Sequence, residues 1–376
     1  PTGSLGSDLA ARMTPTVPRR FVITGVGGLP AAPGGIALNV VAVYPTASGY
    51  LTMYPCASTA TAVPATSTLN FTAGVTIANS AIVQPDATGG VCVVASKATD
   101  LVLDATGWFD DGFVALPEPR RLFDSRGGQA GALEQPGGQF GGDLQFRFAA
   151  GDTLTLNLTG VADVPRSRPI ALNIVAANPS AKGYLTIYPC GPFQPVPATS
   201  TLNFSAGVTI ANSLVIAPPY GDELCVLASQ ATDVIVDVIG YYEYGFVEDT
   251  PVRLLDSRPG QVGTLEQDTV DGPGVDLVTP FQPGVPRRFV MPTGYTLGEA
   301  GFALNITAVS PSARGFVTVY PCASLATPVP ATSTLNFSAG VTIANAQIID
   351  PDPSDGLCVV ASQTTHLIID TTGTFE

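Results

Sequence analysis

The sequence has 376 residues, enough on length for two or three domains, and is 45% apolar but only 12% charged. Its net charge of −14, with arginines gathered in nothing larger than doublets such as Arg19-Arg20, Arg120-Arg121 and Arg287-Arg288, argues against a nucleic-acid partner. No apolar run approaches the roughly 18 residues of a membrane-spanning helix, so no membrane span is expected.

Forty glycines and 34 prolines punctuate the chain at short intervals, which excludes long helices. Aligned on itself, the sequence repeats with periods of 134 and 132 residues, set by Cys56, Cys190 and Cys322 and again by Asn39, Asn173 and Asn305. A period this long exceeds that of solenoid repeats, so each copy is expected to be a domain with its own core. The expected boundaries are 1–113, 114–247 and 248–376.

In chain order, the first element of each copy is an alternating run: "IALNVVAVYP" from Ile36, "IALNIVAANP" from Ile170 and "FALNITAVSP" from Phe302. Leu, Val or Ile, and Ala share one face of it, the period of a strand. Next comes "ATSTLNFTAGVTIAN" from Ala65, returning with one Thr-to-Ser change from Ala198 and Ala331. "STLNF" reads as a strand, "TAG" or "SAG" as a turn and "VTIAN" as the returning strand of a hairpin, with Gly74, Gly207 and Gly340 supplying a positive φ. Asn79, Asn212 and Asn345 are expected to bond nearby backbone at a bend. "VCVVAS" and "DLVLDATGWF" follow, with their counterparts, as short β-branched runs. Seven or eight strands per copy predict an all-β chain of three tandem antiparallel β-sandwich domains, jelly-roll-like or Ig-like, arranged as a string. A small barrel is the structural alternative.

Each copy has two cysteines, 36, 35 and 36 positions apart: Cys56 with Cys92, Cys190 with Cys225 and Cys322 with Cys358. One disulfide per domain in an oxidising compartment is expected, stabilising each by about 4 kcal/mol through loop closure. A zinc site lacks ligands, since no CxxC occurs and His366 is the single histidine. His366 is expected to be an edge-strand side chain. No GxSxG, phosphate loop or dinucleotide fingerprint is present, so neither an enzyme nor a cofactor is expected. Asp100 and Asp104, like Asp233 and Asp237, have a DxxxD spacing that could bind calcium, although such pairs more often face arginine or cap turns; no metal is expected. "RRLFDSRGG" and "VRLLDSRPG" bring a DSR triplet after an apolar run. Asp124 with Arg126, and Asp256 with Arg258, are expected to form structural ion pairs that hold a strand end. Tyr54, Tyr188 and Tyr320 are expected to pack against the disulfides, and the position shared by Trp108, Tyr241 and Thr374 gives a weak sugar-platform signal.

Copies two and three each open with the DSR strand, whereas "PTGSLGSD" aligns just after it, Gly3 with Gly131 and Leu5 with Leu133. Two explanations are open. The sequence is part of a longer or processed chain, or a segment of another subunit completes the sheet by strand addition, which would build open fibres.

The phrases "RLLDSRPG", "ALNITAVSPSARGFVTVYPC", "STLNFSAGVTIAN" and "DVIVDVIGYY" resemble a repeat domain of secreted and cell-surface proteins of high-GC Gram-positive bacteria. The resemblance spans nearly the whole chain and implies location and architecture, with no catalytic residues attached. The expectation is a non-enzymatic extracellular structural protein, secreted or on the cell surface, that self-associates into a surface layer, filament or stalk. The alternative is a carbohydrate-binding or adhesive module set acting on cell-wall or other glycans, which would show an exposed aromatic cluster at one place in every copy.

Overall fold

The computed structural model describes residues 11–375 except 110–111, 130, 136–138, 141–145, 159–160, 162–163, 191–194, 219–221, 266–277 and 292–300. The segment "PTGSLGSD" lies outside the described residues. Every named element is a β-strand. Repeat one holds β1 (Arg19–Val22), β2 (Gly35–Val43), β3 (Gly49–Pro55), β4 (Leu69–Phe71), β5 (Ile77–Val83), β6 (Gly90–Ala95) and β7 (Asp100–Phe109). Repeat two holds β8 (Phe113–Asp124), β9 (Thr153–Asn157), β10 (Ile170–Ala177), β11 (Gly183–Pro189), β12 (Leu202–Phe204), β13 (Ile210–Ile216), β14 (Glu223–Ala228) and β15 (Asp233–Tyr242). Repeat three holds β16 (Phe246–Asp256), β17 (Arg287–Val290), β18 (Gly301–Val309), β19 (Gly315–Pro321), β20 (Leu335–Phe337), β21 (Ile343–Ile349), β22 (Gly356–Ala361) and β23 (His366–Phe375).

These strands form six small antiparallel sheets, two to a repeat. One sheet of each has the orders β1-β6-β3-β4, β9-β14-β11-β12 and β17-β22-β19-β20. The other has β5-β2-β7, β13-β10-β15-β8 and β21-β18-β23-β16, so among the described residues repeat one contributes three strands where the others contribute four. The alternation read in "IALNVVAV" works as pleating requires: Leu38, Val40 and Ala42 enter the core beside Leu51, Leu69 and Val93. The expected boundaries fall one residue into β8 and two residues into β16, strands that pair with β15 and β23.

Two expectations are corrected. "STLNF" and "VTIAN" do not form a hairpin: β4 pairs with β3 in one sheet, while β5 pairs with β2 in the other. The link between them crosses the core, so that Phe71 and Ile77 face the same interior from opposite sheets. Gly74 does take φ 72° there, with its amide on the Pro45 carbonyl at 2.8 Å. The repeats, secondly, are not strung out. They close in a ring in which β5, β13 and β21 contact one another pairwise. A string is disfavoured because these sheets are apolar on both faces, and separation would expose Ile82, Ala171, Val215 and Ala303 to water.

A relay of asparagines runs around this pseudo-threefold arrangement. Asn79 donates to Asn173 Oδ1 at 3.1 Å, Asn212 to Asn305 Oδ1 at 2.9 Å, and Asn345 to Asn39 Oδ1 at 3.0 Å, each from one repeat to another. The same three amides also reach the carbonyls of Thr68, Thr201 and Thr334 at 2.6 to 2.7 Å. Asn173 and Asn305 donate in turn to the carbonyls of Ser67 and Ser200, and Asn39 to that of Ser333. Phe109, Tyr242 and Phe375, from equivalent strand ends, make a near-equilateral triangle with ring centroids 5.2 to 5.4 Å apart.

Asn345→Ala would strand three buried partners, since Asn345 Oδ1 also accepts the Ser80 amide at 2.8 Å. A loss of about 3 kcal/mol in unfolding free energy is expected by urea denaturation; a loss below roughly 1 kcal/mol would mean the relay holds nothing.

Candidate functional site at the open sheet edge

The chemistry with most structure behind it lies where the DSR strands cross the junctions between repeats. On a regular strand, residues i and i+3 point to opposite faces. In β8 the register against β15 slips between Phe123 and Arg121, and in β16 that against β23 slips between Leu255 and Arg253. Each bulge brings Arg121 and Asp124, or Arg253 and Asp256, to the same side. Arg253 then binds three acceptors: Asp370 Oδ1 at 2.9 Å, Asp256 Oδ2 at 3.0 Å and the Ala198 carbonyl of the preceding repeat at 3.0 Å. Arg121 repeats this with Asp237 at 2.5 Å, with Asp124, and with the Ala65 carbonyl at 3.3 Å. One guanidinium thus ties its own strand, the next strand and the neighbouring repeat together.

Arg126 forks onto Asp124 at 2.7 and 2.9 Å, and Arg258 onto Asp256 at 2.6 and 2.8 Å. Ser125 and Ser257 accept the amides of Val234 and Leu367 through their hydroxyls, at 2.9 and 2.8 Å. Buried Glu134 accepts the amides of Asp124 and Gly131, both at 2.8 Å. Burial alone would raise the Asp124 and Asp256 carboxyls, but the forked arginines and the positive charge of Arg121 or Arg253 outweigh it and hold both below the usual range. For Asp237 and Asp370 burial prevails over the same arginines and pushes each up to about 6.

Repeat one lacks this roof among the described residues. β7 pairs with β2 on one side and with no described strand on the other. Asp104 holds the register of Asp237 and Asp370, since it lies opposite Asn39 as they lie opposite Asn173 and Asn305. No described cation reaches it, and burial raises its carboxyl. Val102 and Trp108 are 42% and 49% exposed, against 5% for Ile235 and 7% for Thr374 at the equivalent places. A groove at the junction with repeat three is lined by Asn39, Asp104, Thr106, Ser333 and Gln347. The corresponding grooves at the other two junctions are lined by Pro119 of β8 and Pro251 of β16.

The cysteines lie as Cys56–Cys92, Cys190–Cys225 and Cys322–Cys358, with Cα–Cα separations of 5.5 to 5.6 Å, and none is left as a thiol. Three disulfides fit an extracellular or otherwise oxidising environment. Tyr54, Tyr188 and Tyr320 are buried against them. Of the DxxxD carboxylates, Asp233 faces Arg147 and Asp237 faces Arg121, and no group of described residues has the makings of a metal site. His366 is not on an edge strand: β23 lies between β16 and β18, and its Nδ1 contacts the Ser257 carbonyl at 2.8 Å. Among the described residues no helix is long and apolar enough to cross a membrane.

Sequence reasoning singled out Asp124, Arg126, Asp256 and Arg258 but passed over Arg121 and Arg253, which hold the junctions. The signal was an arginine three residues before each DSR aspartate, at odds with simple strand alternation and therefore a sign of a bulge.

No family model matches the chain, and no curated protein does. Among solved structures it is similar to the atomic structure of Sulfolobus Turreted Icosahedral Virus, at 7% identity over 95% of this chain and 83% of that one, with a TM-score of 0.21. It is similar also to the STIV MCP, at 10% identity over 61% and 94%, TM-score 0.22. A third is a structure of the triple jelly roll fold and turret assembly in an archaeal virus, at 7% identity over 94% and 82%, TM-score 0.19. Scores this low do not amount to a common fold.

The carboxyls raised to about 6 set a pH dependence. Their folded-state pKa exceeds the unfolded value of about 3.9, so their contribution to stability is full below about pH 4 and is lost as pH rises through 6. The double substitution Asp237→Asn/Asp370→Asn should remove it. Stability of the parent minus that of the variant, from urea midpoints, is expected to grow between pH 7 and pH 4, and a flat difference would refute the assignment. Asp124→Ala, which takes a fully buried carboxylate away from the half-buried Arg121 and Arg126, is expected to cost on the order of 3 kcal/mol at pH 7 by the same measurement.

Proposed function

We propose that the chain is a non-enzymatic structural subunit of an extracellular surface layer, filament or stalk, joined to its neighbour by a strand added along β7. The observation that carries this reading is the sheet β5-β2-β7, in which no described strand takes the fourth place that is filled in both of its counterparts. An exposed edge of unpaired N–H and C=O groups is a template for another chain, and folded proteins normally cover it. Each repeat is read as a jelly-roll sandwich: in repeat two the chain-order strands one, eight, three and six make one sheet and two, seven, four and five the other. Strand donation from one subunit to the β7 edge of the next is heterologous, so it extends a fibre instead of closing a dimer. A non-enzymatic role is supported by where the titratable groups go: apart from Asp104, the carboxylates with shifted pKa face arginines or turn amides, and Asp104, Asp237 and Asp370 line three separate grooves.

A glycan-binding reading has one observation in its favour. Tyr50, Tyr184 and Phe316, at one equivalent place in each repeat, are 45%, 42% and 42% exposed. Each stands singly on its own sheet, and Phe316 offers no hydroxyl, so this reading ranks second. Binding on a glycan array that disappears in Tyr50→Ala/Tyr184→Ala would promote it.

Val102→Lys places a charge on the β7 edge without touching the core. Assemblies visible by electron microscopy are expected to disperse into single chains with an unchanged circular dichroism spectrum. Fibres or sheets that persist in this variant would rule out β7 as the joint.

A further inference from the structure

We infer that Cys190–Cys225 is an exchange site for low-molecular-weight thiols, at which a thiol adds to Cys190 and releases Cys225 while the other two disulfides stay closed. The site belongs to the sheet β9-β14-β11-β12 and involves neither β7 nor its edge.

The three disulfides occupy equivalent places but are covered differently. The strand residue paired with the second cysteine is Arg20 opposite Cys92, Arg288 opposite Cys358 and Thr155 opposite Cys225. Directly opposed residues of an antiparallel pair share a face, with Cβ atoms about 5 Å apart. The long arginine therefore crosses above the disulfide, and its Nε donates to the carbonyl of the first cysteine, Cys56 or Cys322, at 3.0 Å in both. The far end of the guanidinium is held on Thr88 in repeat one and on the Ser354 hydroxyl, at 2.7 Å, in repeat three. The Arg288 side chain is only 5% exposed, so it is packed in place. Glycine makes room for this cover: a Cβ on Gly90 or Gly356 would come within 2.1 to 2.7 Å of the guanidinium atoms. In repeat two both parts change together, with Thr155 for the arginine and Glu223 for the glycine. Threonine is too short to cross, and no described arginine donates to the Cys190 carbonyl. Cys190 and Cys225 are each 7% exposed, against 0 to 2% for the other four cysteines.

A guanidinium beside a disulfide has two opposed effects. Its charge favours an incoming thiolate, while its bulk blocks the approach. Asp86 and Asp352 stand 3.5 and 3.9 Å from Arg20 and Arg288 and offset much of that charge, which leaves the blocking as the net effect. In repeat two the Thr155 hydroxyl lies 3.5 Å from Cys225 Sγ. A disulfide sulfur carries no proton, so the hydroxyl is the donor. A hydrogen bond to the charged form stabilises it, which makes Cys225 the better leaving sulfur. The thiolate sulfur therefore bonds to Cys190 Sγ, the Cys190–Cys225 bond breaks, and its electron pair goes to Cys225 Sγ, which takes a proton from water. The incoming thiol is oxidised to the disulfide level and Cys225 is reduced to a thiol.

The test treats the whole folded 376-residue chain with reduced glutathione under mildly alkaline conditions, quenches with acid, and locates adducts and free thiols by peptide mass spectrometry. Glutathione is expected on Cys190, with Cys225 free, roughly tenfold faster than any adduct at the other two disulfides. Arg20→Thr should raise the rate at Cys56–Cys92 to that of the second disulfide. Thr155→Arg/Glu223→Gly, which rebuilds the cover, should slow the second disulfide to the rate of the others. Thr155→Val, similar in size but without the donor, should slow it about threefold. Equal rates at all three disulfides, the outcome of exchange through global unfolding, would overturn the site. An unchanged rate in Arg20→Thr, or in Thr155→Arg/Glu223→Gly with a parental circular dichroism spectrum, would overturn the role of the cover. Glutathione on Cys225 instead of Cys190 would overturn the direction of attack.

Discussion

The asparagine relay around the ring is the constraint on which the rest of the structure depends. A carboxamide both donates and accepts, so a single residue type can pass hydrogen bonds from repeat one to two, two to three and three back to one. Buried amides left without partners would be costly, so the arrangement is stable only when all three junctions form. The third junction joins repeats that are most distant in sequence. The aromatic triangle of Phe109, Tyr242 and Phe375 adds apolar weight to the same closure.

Ring closure turns a near-exact sequence repeat into a structure with one distinguishable place. Two junctions are roofed by a strand whose arginine reaches back to the preceding repeat, and at the third no described strand does so. Identical modules on a string would have offered an edge with no neighbour beside it. In the ring, this edge is flanked by repeat three, which contributes Ser333 and Gln347 to the wall of the groove. Among the described residues β7 differs from its counterparts β15 and β23 in standing at the edge of its sheet.

Electrostatics at the roofed junctions are arranged around shared guanidinium groups. Arg121 and Arg253 each serve two carboxyls, of which one is held ionised by a second arginine and the other is raised by burial. The chain has few charges, and several of them are spent holding strands across junctions. Its wetting is left to serine, threonine and asparagine, in keeping with the low charged fraction.

The sequence by itself determined the strand content, the repeat, the spacing of the cysteines and the DSR positions, because these follow from local alternation, turn residues and copies visible at fixed offsets. It also aligned Gly3 with Gly131 and Gly263, just after the DSR strands of the other copies. It did not reveal that "STLNF" and "VTIAN" belong to different sheets, because a hairpin and a crossing of the core use the same glycine and the same alternation. Nor did it reveal the ring, the role of Asn39 and its equivalents, or Arg121 and Arg253 as the junction clamps. Those depend on which face meets a neighbouring repeat and on a bulge that reverses a side chain's direction. Both are set by contacts between residues about 90 to 300 positions apart, and no local pattern encodes them.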